Sequence, residues 1–461
     1  MRLRSYLLAS TLSITLAVSA GAQSVDYGGS IFNLTGVGNS SGASAEPGGS
    51  PGLVQEDVLK GWFQASLDSN LSINFQFDAT YNTAPILPFN TTLLFANADL
   101  LNLHGNYQFQ NASLRVLQFT VGRLLLSDFT SLVVSHEADG VFLDIELPTV
   151  SVNVSAGYTG LVTKGASTIE LSKSDLNDYA DSDVNFASPR LVELAQVAFL
   201  GLPGQRISLS AILQQDLRGG PLDAANGSAE TLVKEGSTTL EPTLGGRVET
   251  QYFGAGMSGS ISGKLYYDVF SYLETGEELF FKNGSYENLS FFGLLAGGGV
   301  RVPLPGFLSS SVATRVYYAS GDANASTVIE GATQSFSIFT PISRPLLDNV
   351  FSPQLSNLIV VEASFTVKPL SNLGAGLPQR LQTVLQADAY FRPTTGPISE
   401  PGIPSSSTSN YLGTEADLSI NFNPLSDLGF SVWGGTFFPG SAFGSGAKVQ
   451  YKTGLDATLT F

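Results

Sequence analysis

Apolar and polar residues take turns along most of this chain. From Asn70 to Asp78, Leu71, Ile73, Phe75 and Phe77 alternate with Asn70, Ser72, Asn74, Gln76 and Asp78. Leu101, Leu103, Tyr107 and Phe109 alternate with Asn102, His104, Asn106, Gln108 and Gln110. The same period of two runs through Val150–Tyr158, through Ile261, Gly263, Leu265, Tyr267 and Val269, and through Ile359–Val367. Successive side chains of a strand point to opposite faces, so these segments read as strands with one apolar and one polar face. A soluble sandwich would bury the apolar faces against each other. A membrane barrel turns them out to lipid and lines its lumen with the polar ones. The polar faces here carry Asn, Gln, Ser and Thr with scattered charges rather than dense Lys and Glu. That composition suits a wet interior, and it favours the barrel.

The connections alternate in length. Short turns marked by Pro or Gly sit at Leu147-Pro148, Leu202-Pro203-Gly204, Pro303-Leu304-Pro305-Gly306 and Asn423–Asp427, with a longer one from Pro369 to Pro378. Between them lie polar stretches read as long loops: Lys164–Ser188, Leu217–Pro242, Tyr272–Asn288, Ser320–Ser356 and Pro393–Asn410. Short periplasmic turns facing long external loops are the asymmetry of bacterial outer-membrane barrels. Walking back from the C-terminus gives about seventeen segments down to Asp57, and two periplasmic termini require an even number. Val25–Val37 supplies the first strand and Gly38–Gly52 the loop after it. The expected fold is therefore all-β, a transmembrane antiparallel up-and-down barrel of about 18 strands. The alternative has about 16 strands, with the N-terminal segment plugging the lumen. In the last strand, Ala447, Val449, Tyr451, Thr453, Leu455, Ala457, Leu459 and Phe461 keep one parity. A terminal amphipathic strand ending in an aromatic resembles the signal read by the barrel-assembly machinery, which makes that machinery an expected partner through Phe461.

Composition narrows the class further. Arg2 and Arg4 precede an apolar run and then Ala20-Gly21-Ala22, the pattern of a signal peptide over residues 1–22, cleaved before Gln23. Residues 23–461 are then one barrel domain in the bacterial outer membrane, with membrane lipid around it. No later apolar run is long enough for a spanning helix. The chain has no cysteine, which excludes a disulfide scaffold, a zinc finger and an iron–sulfur protein. Against 39 Asp and Glu stand only 22 Lys and Arg, a net charge of −17, so nucleic acid is excluded as a partner.

Three patches are similar to the alginate-export-type family of Gram-negative outer-membrane porins. They are Val121-Gly122-Arg123 at a strand end, Asp139-Gly140-Val141 opening the next strand, and Leu412-Gly413-Thr414-Glu415-Ala416-Asp417 through Phe437-Phe438-Pro439-Gly440. The resemblance implies an eighteen-stranded monomeric barrel that acts as a channel. Members that carry an anionic uronate polymer are expected to line the pore with arginine. This chain departs from that pattern, and an acidic lumen repels polyanions and concentrates cations. The channel role is carried over, and the polysaccharide is not. The expected function is passive diffusion of small hydrophilic solutes or ions, with cations preferred. A plugged barrel serving as a surface adhesin or structural protein is the alternative, and a barrel hydrolase is a third reading.

Parity places Asp78, His104, Asp144, Glu146, Lys264, Asp268, Arg315, Glu362, Asp388, Arg392, Glu415, Asp417, Lys448, Lys452 and Asp456 on the lumen side. Rings of charge in a pore set its selectivity. Arg115 and Arg123 share parity with Leu117, Phe119 and Val121, and so also fit a snorkelling position at the rims of the lipid belt. No catalytic residue, metal ligand or cofactor is assigned. The only histidines are His104 and His136, and Ser135-His136-Glu137 does not assemble a triad from sequence neighbours. Asp175–Asn185 is rich in oxygen ligands for Ca²⁺. It fails the EF-hand pattern started at Asp181, because Phe186 stands where Gly is needed and Val192 where Glu is needed. That stretch therefore reads as a solvated outer loop.

Overall fold

The computed structural model describes residues 23–39, 52–83, 93–110, 113–181, 183–218, 234–235, 238–239, 247–282, 285–325, 327, 335–374, 376–400 and 402–461. The segment read as a signal peptide, most of Gly38–Gly52 and most of Leu217–Pro242 lie outside them. In chain order the long strands are β1 (Ser24–Gly38), β2 (Gly52–Ser66), β3 (Leu71–Thr83), β4 (Leu93–Gln108), β5 (Val116–Ser127) and β6 (Ser135–Glu146). They continue with β7 (Val150–Tyr158), β8 (Arg190–Phe199), β9 (Gln205–Asp216), β10 (Val248–Ile261), β11 (Leu265–Lys282) and β12 (Ser285–Leu304). The last are β13 (Ser310–Ala319), β14 (Leu358–Val367), β15 (Leu381–Phe391), β16 (Tyr411–Phe422), β17 (Leu428–Pro439) and β18 (Gln450–Thr460). Each pairs antiparallel with its sequence neighbours, and β1 closes the ring on β18 with Ser30 opposite Thr460 and Gly38 opposite Lys452. The result is a closed antiparallel barrel of eighteen strands. Because β1 stands in the wall between β18 and β2, the sixteen-strand reading with an N-terminal plug is set aside.

Closure explains why this sequence tolerates an apolar exterior. Every strand finds hydrogen-bond partners on both sides, so the wall presents no free edge and can sit in hydrocarbon. The outward positions are large and apolar, and they meet across strands: Val121 opposite Val141, Leu143 opposite Val154, Val316 opposite Val361, Leu385 opposite Leu418, Val432 opposite Leu455. All of these stay exposed on the outer face. The terminal Phe461 exchanges backbone hydrogen bonds with Gly29 at 2.8 and 2.9 Å. Its ring lies where a side chain at residue 29 would stand, so Gly29 makes the seam possible.

The turns at 147–149, 200–204, 305–309, 368–380 and 423–427 fall where Pro and Gly mark them. Two readings need correction. The alternating run Ile261–Val269 is not one strand: Ser262 and Gly263 have φ of 56° and 65°, and Lys264 N–H bonds Ile261 O at 3.1 Å, a primed hairpin turn joining β10 to β11. Tyr272–Asn288 is not a long loop either. It continues β11 to Lys282 and opens β12 at Ser285.

The long connections fold into the barrel instead of standing clear of it. The described residues of segments 128–134, 159–189, 320–357 and 392–410 pack against inward side chains of β5, β6 and β8 to β17. Their contact buries an apolar cluster that includes Leu126, Val134, Leu171, Ile212, Tyr252, Tyr272, Leu295, Phe339, Phe351 and Phe437. A core of this kind inside the ring lends the loops a fixed seat, since each buried aliphatic or aromatic side chain contributes roughly 1.5–3 kcal/mol.

Candidate functional site

Inward positions on neighbouring strands line up where their Cα atoms are directly paired. One such line crosses the wall from Asp268 (β11) to Gly299 (β12), Arg315 (β13), Glu362 (β14), Asp388 (β15) and Glu415 (β16). It ends on Phe437 of β17. Gly299 keeps the line open: a Cβ there would lie 3.1 Å from Arg315 Nε and 3.3 Å from Asp268 Oδ1. Through that gap Arg315 reaches Asp268 at 3.0 Å. One guanidinium is therefore set among the carboxylates of Asp268, Glu362, Asp388 and Glu415, and the line is net acidic.

Half of this line meets water. Asp268, Arg315 and Glu362 border a recess of about 550 Å³, with Ser258, Ser260 and Tyr266. The side chains of Arg315 and Asp268 remain 43% and 36% exposed, so they are open to solvent. The other half is covered. Segment Leu347–Phe351 lies over Asp388 and Glu415, and Glu415 accepts hydrogen bonds from the backbone N–H groups of Val350 and Phe351, each at 2.8 Å. The Phe351 ring stacks on Phe437 at 4.2 Å and meets Tyr390 and Phe443 edge-on. Asn349 Nδ2 donates to Asp417 Oδ1 at 2.9 Å, and Tyr390 OH donates to Asp348 Oδ2 at 3.0 Å. Carboxylate oxygens of Asp348, Asp388 and Asp417 lie within 4.8 Å of one another. Burial, reinforced by the Asp388 carboxyl beside it, pushes Asp348 up to about 7.

On the opposite flank the connection from β7 to β8 enters the lumen through α1 (Lys173–Ala180). Arg190 Nη2 bonds both oxygens of Asp175, at 2.8 and 2.9 Å, and lies 3.3 Å from Asp216. Arg218 clasps Asp216 from the other side and lies 3.3 Å from Asp175 and 3.6 Å from Asp178. Burial raises the Asp175 carboxyl, but the two guanidiniums outweigh it and hold the group below the ordinary range. This corrects both readings of Asp175–Asn185. Its first half is a helix packed inside the barrel, and the oxygens of Asp175 and Asp178 are taken by arginine. Arg344 bridges Glu170 at 3.2 Å and Glu400 at 2.5 Å, tying three inserted connections together.

The remaining sequence candidates divide clearly. Asp78, His104, Asp144, Glu146, Lys452 and Asp456 stand on inward-facing positions of their strands. Asp78 accepts from Thr80 at 2.9 Å and His104 Nδ1 lies 3.0 Å from Thr120 Oγ1. Trp433 Nε1 donates to Asp456 at 3.1 Å, with the Lys452 ammonium 5.5 Å from its ring centre. Three candidates are corrected. Lys264 lies in the β10–β11 turn, and Lys448 lies two residues before β18 begins. Arg392 follows β15 and is buried, donating to the carbonyls of Ser409, Gly396 and Ser407, so it clamps a loop instead of lining water. Arg123 is on the outer face, paired with Asp139 at 2.7 Å, and the first two motif patches meet at this ion pair. His136, 4% exposed, lies 3.0 Å from Ser167 Oγ of an inserted connection. Parity could not find Asp348, which sits in a loop, nor the pairing of Arg190 with Asp175 of the inserted helix.

No protein-family model matches the chain, and no curated protein matches it either. Among solved structures, Pseudomonas aeruginosa OpdL superposes with a TM-score of 0.52 at 13% identity, over 95% of this chain and 98% of that one. Pseudomonas aeruginosa OpdQ gives 0.51 at 12% identity, over 96% and 98%. The outer membrane protein opdK from the same organism gives 0.51 at 10% identity, over 95% and 99%. At such identities the likeness establishes the fold, a porin-type barrel along nearly the whole chain.

Proposed function

We propose that this protein is a bacterial outer-membrane channel through which small hydrophilic solutes and ions diffuse, with cations preferred. The observation that carries the reading is the acidic line across the inner wall, set in a closed barrel with an apolar outer face. An acid-lined lumen raises the local concentration of cations and lowers that of anions. Inserted connections narrow the lumen on one arc, while Asp268, Arg315 and Glu362 border the water-filled part. The outer-membrane placement draws support from the fold shared with opdK, described as an outer membrane protein.

Further parts of the reading rest on the sequence. Residues 1–22 act as a cleaved signal peptide, residues 23–461 form the barrel domain, and the terminal strand ending in Phe461 is what the assembly machinery recognises. Membership in the alginate-export-type family is supported by its motif residues lying at working positions: Arg123 and Asp139 pair, and Glu415, Asp417 and Phe437 hold the inserted loop. Catalysis is not part of the proposal. His136 lies beside Ser167, but it is too deeply buried to meet a solute.

Single-channel recording of the refolded barrel in a planar bilayer, with the reversal potential under a KCl gradient, tests the proposal. Stable steps with cation selectivity are expected. Anion selectivity would overturn the account of the lining. No conductance from a demonstrably folded barrel would overturn the channel itself and leave the plugged, adhesive barrel.

A further inference from the structure

We infer that segment Leu347–Phe351 is a proton-operated latch, pinned to the lumen wall when the Asp348, Asp388 and Asp417 carboxyls share protons and released when they lose them. The inference rests on the channel reading above and adds a regulation to it.

The geometry sets the conditions. Ionised carboxylates are acceptors only, so groups this close repel unless a proton stands between them. Three crowd together here, from the inserted segment (Asp348), from β15 (Asp388) and from β16 (Asp417). The neighbours are Tyr390 on β15, Glu415 on β16 and Glu362 on β14. Of the nearby cations, Arg315 acts on Glu362 and is bonded to Asp268, and Arg344 is taken by Glu170, Glu400 and the Ser352 carbonyl. Among the described residues, the leading influences on Asp348, Asp388 and Asp417 are burial, other carboxyls and hydrogen bonds, with no basic group among them. This contrasts with α1, whose carboxylates are matched by Arg190 and Arg218.

The segment is built to be held at its ends and loosened at its centre. Phe351 anchors one end in the ring of Phe437, Tyr390 and Phe443. Arg344 anchors the other through Glu170, Glu400 and the Ser352 carbonyl. Asp348 lies between the two anchors and faces the carboxyls of the wall. Burial and the Asp388 carboxyl raise it to about 7, against an ordinary value of about 3.9 when released. The pinned state thus binds more protons than the released one. Pinning is fully present below the ordinary value and is lost as pH rises through about 7. A released segment swings into the recess beside Glu362 and narrows the path.

Two readouts test this. In planar bilayers the wild-type conductance is expected to be steady at pH 5.5, then to fall and flicker by pH 8.5. Asp348→Asn is expected to keep the pH 5.5 behaviour at both, while Asp427→Asn in a short turn keeps the wild-type profile. Identical wild-type traces at the two pH values would overturn the latch but leave the channel standing. The second readout does not need conductance. The cysteine-free chain accepts Val350→Cys, a position within the latch that is 9% exposed when pinned, and Ser445→Cys as an exposed reference. In liposomes, the labelling rate of Val350→Cys relative to Ser445→Cys is expected to rise several-fold from pH 5.5 to 8.5. Adding Asp348→Asn is expected to abolish the rise. A constant ratio overturns the latch, whatever the bilayer shows.

Discussion

Replacing Glu362 by Gln removes one carboxylate from the water-facing part of the acidic line while leaving the Arg315–Asp268 pair in place. A monovalent cation passing about 5 Å from that carboxylate in water gains about 0.8 kcal/mol. Screening at 0.1 M salt reduces this to about 0.5 kcal/mol, because the Debye length there is about 10 Å. The cation gains that amount and an anion loses it at the same point. The cation-to-anion permeability ratio should then fall by roughly twofold to fivefold in the variant. At 1 M salt the screening length is about 3 Å and the same arithmetic leaves under about 0.2 kcal/mol, so the difference should nearly vanish. The assay is the reversal potential of wild type and Glu362→Gln under KCl gradients centred on the two ionic strengths. An unchanged reversal potential at 0.1 M would refute the reasoning. So would an effect of equal size at 1 M, because a through-water field cannot survive that screening.

Other expectations follow from the remaining parts of the structure. Arg190→Ala removes one of the two guanidiniums that hold Asp175 and Asp216 and leaves Arg218 alone to match both, so it should cost up to about 3 kcal/mol, measured as lost hydrogen-exchange protection across residues 173–180. Because the Asp175 carboxyl is held below its ordinary value, its contribution to docking α1 is full above about pH 4 and is lost only as pH falls further. Protection of α1 should therefore be flat from pH 8 to about 5. A loss within that window would contradict the network. Leu418→Arg places a charge on the outer face of β16 and should cost about 2–4 kcal/mol if the position lies near the bilayer midplane. Equilibrium refolding into lipid vesicles gives the value, and a neutral outcome would mean that this face is not in hydrocarbon.

The wall was legible in the sequence because lipid and water impose opposite demands on alternate residues. Val150–Tyr158 is read from its parity with the bounds it has in the structure, and Val25–Val37 falls within β1 by one residue at each end. The same rule explains the failure at Ile261–Val269. Ile261 pairs directly with Leu265, so both face the same way and the alternation passes through the turn without a break. Tyr272–Asn288 misled for a different reason. Glu274, Glu277 and Glu278 look like loop residues, yet Glu274 is buried against an inserted connection and accepts the Thr340 N–H at 2.7 Å. The site was half legible. Parity found Asp268, Arg315, Glu362, Asp388 and Glu415 one at a time, but their alignment depends on strand register, which no single segment encodes. Asp348 and the arginines around α1 lie beyond any periodicity, because the contacts that define them join a strand or its end to an inserted connection.

Both tryptophans of the chain, Trp62 and Trp433, occupy inward positions of their strands, beside Lys60 and Gln64 in one case and Lys452 and Asp456 in the other. Tryptophan in membrane barrels more often belongs to the girdles at the lipid interface. In this protein the intrinsic emission therefore reports on the water inside the barrel and is nearly blind to the bilayer. Collisional quenchers dissolved in the lumen should reach these indoles, whereas quenchers attached to acyl chains should not. The molecule carries a built-in optical probe of its own interior, usable without any label.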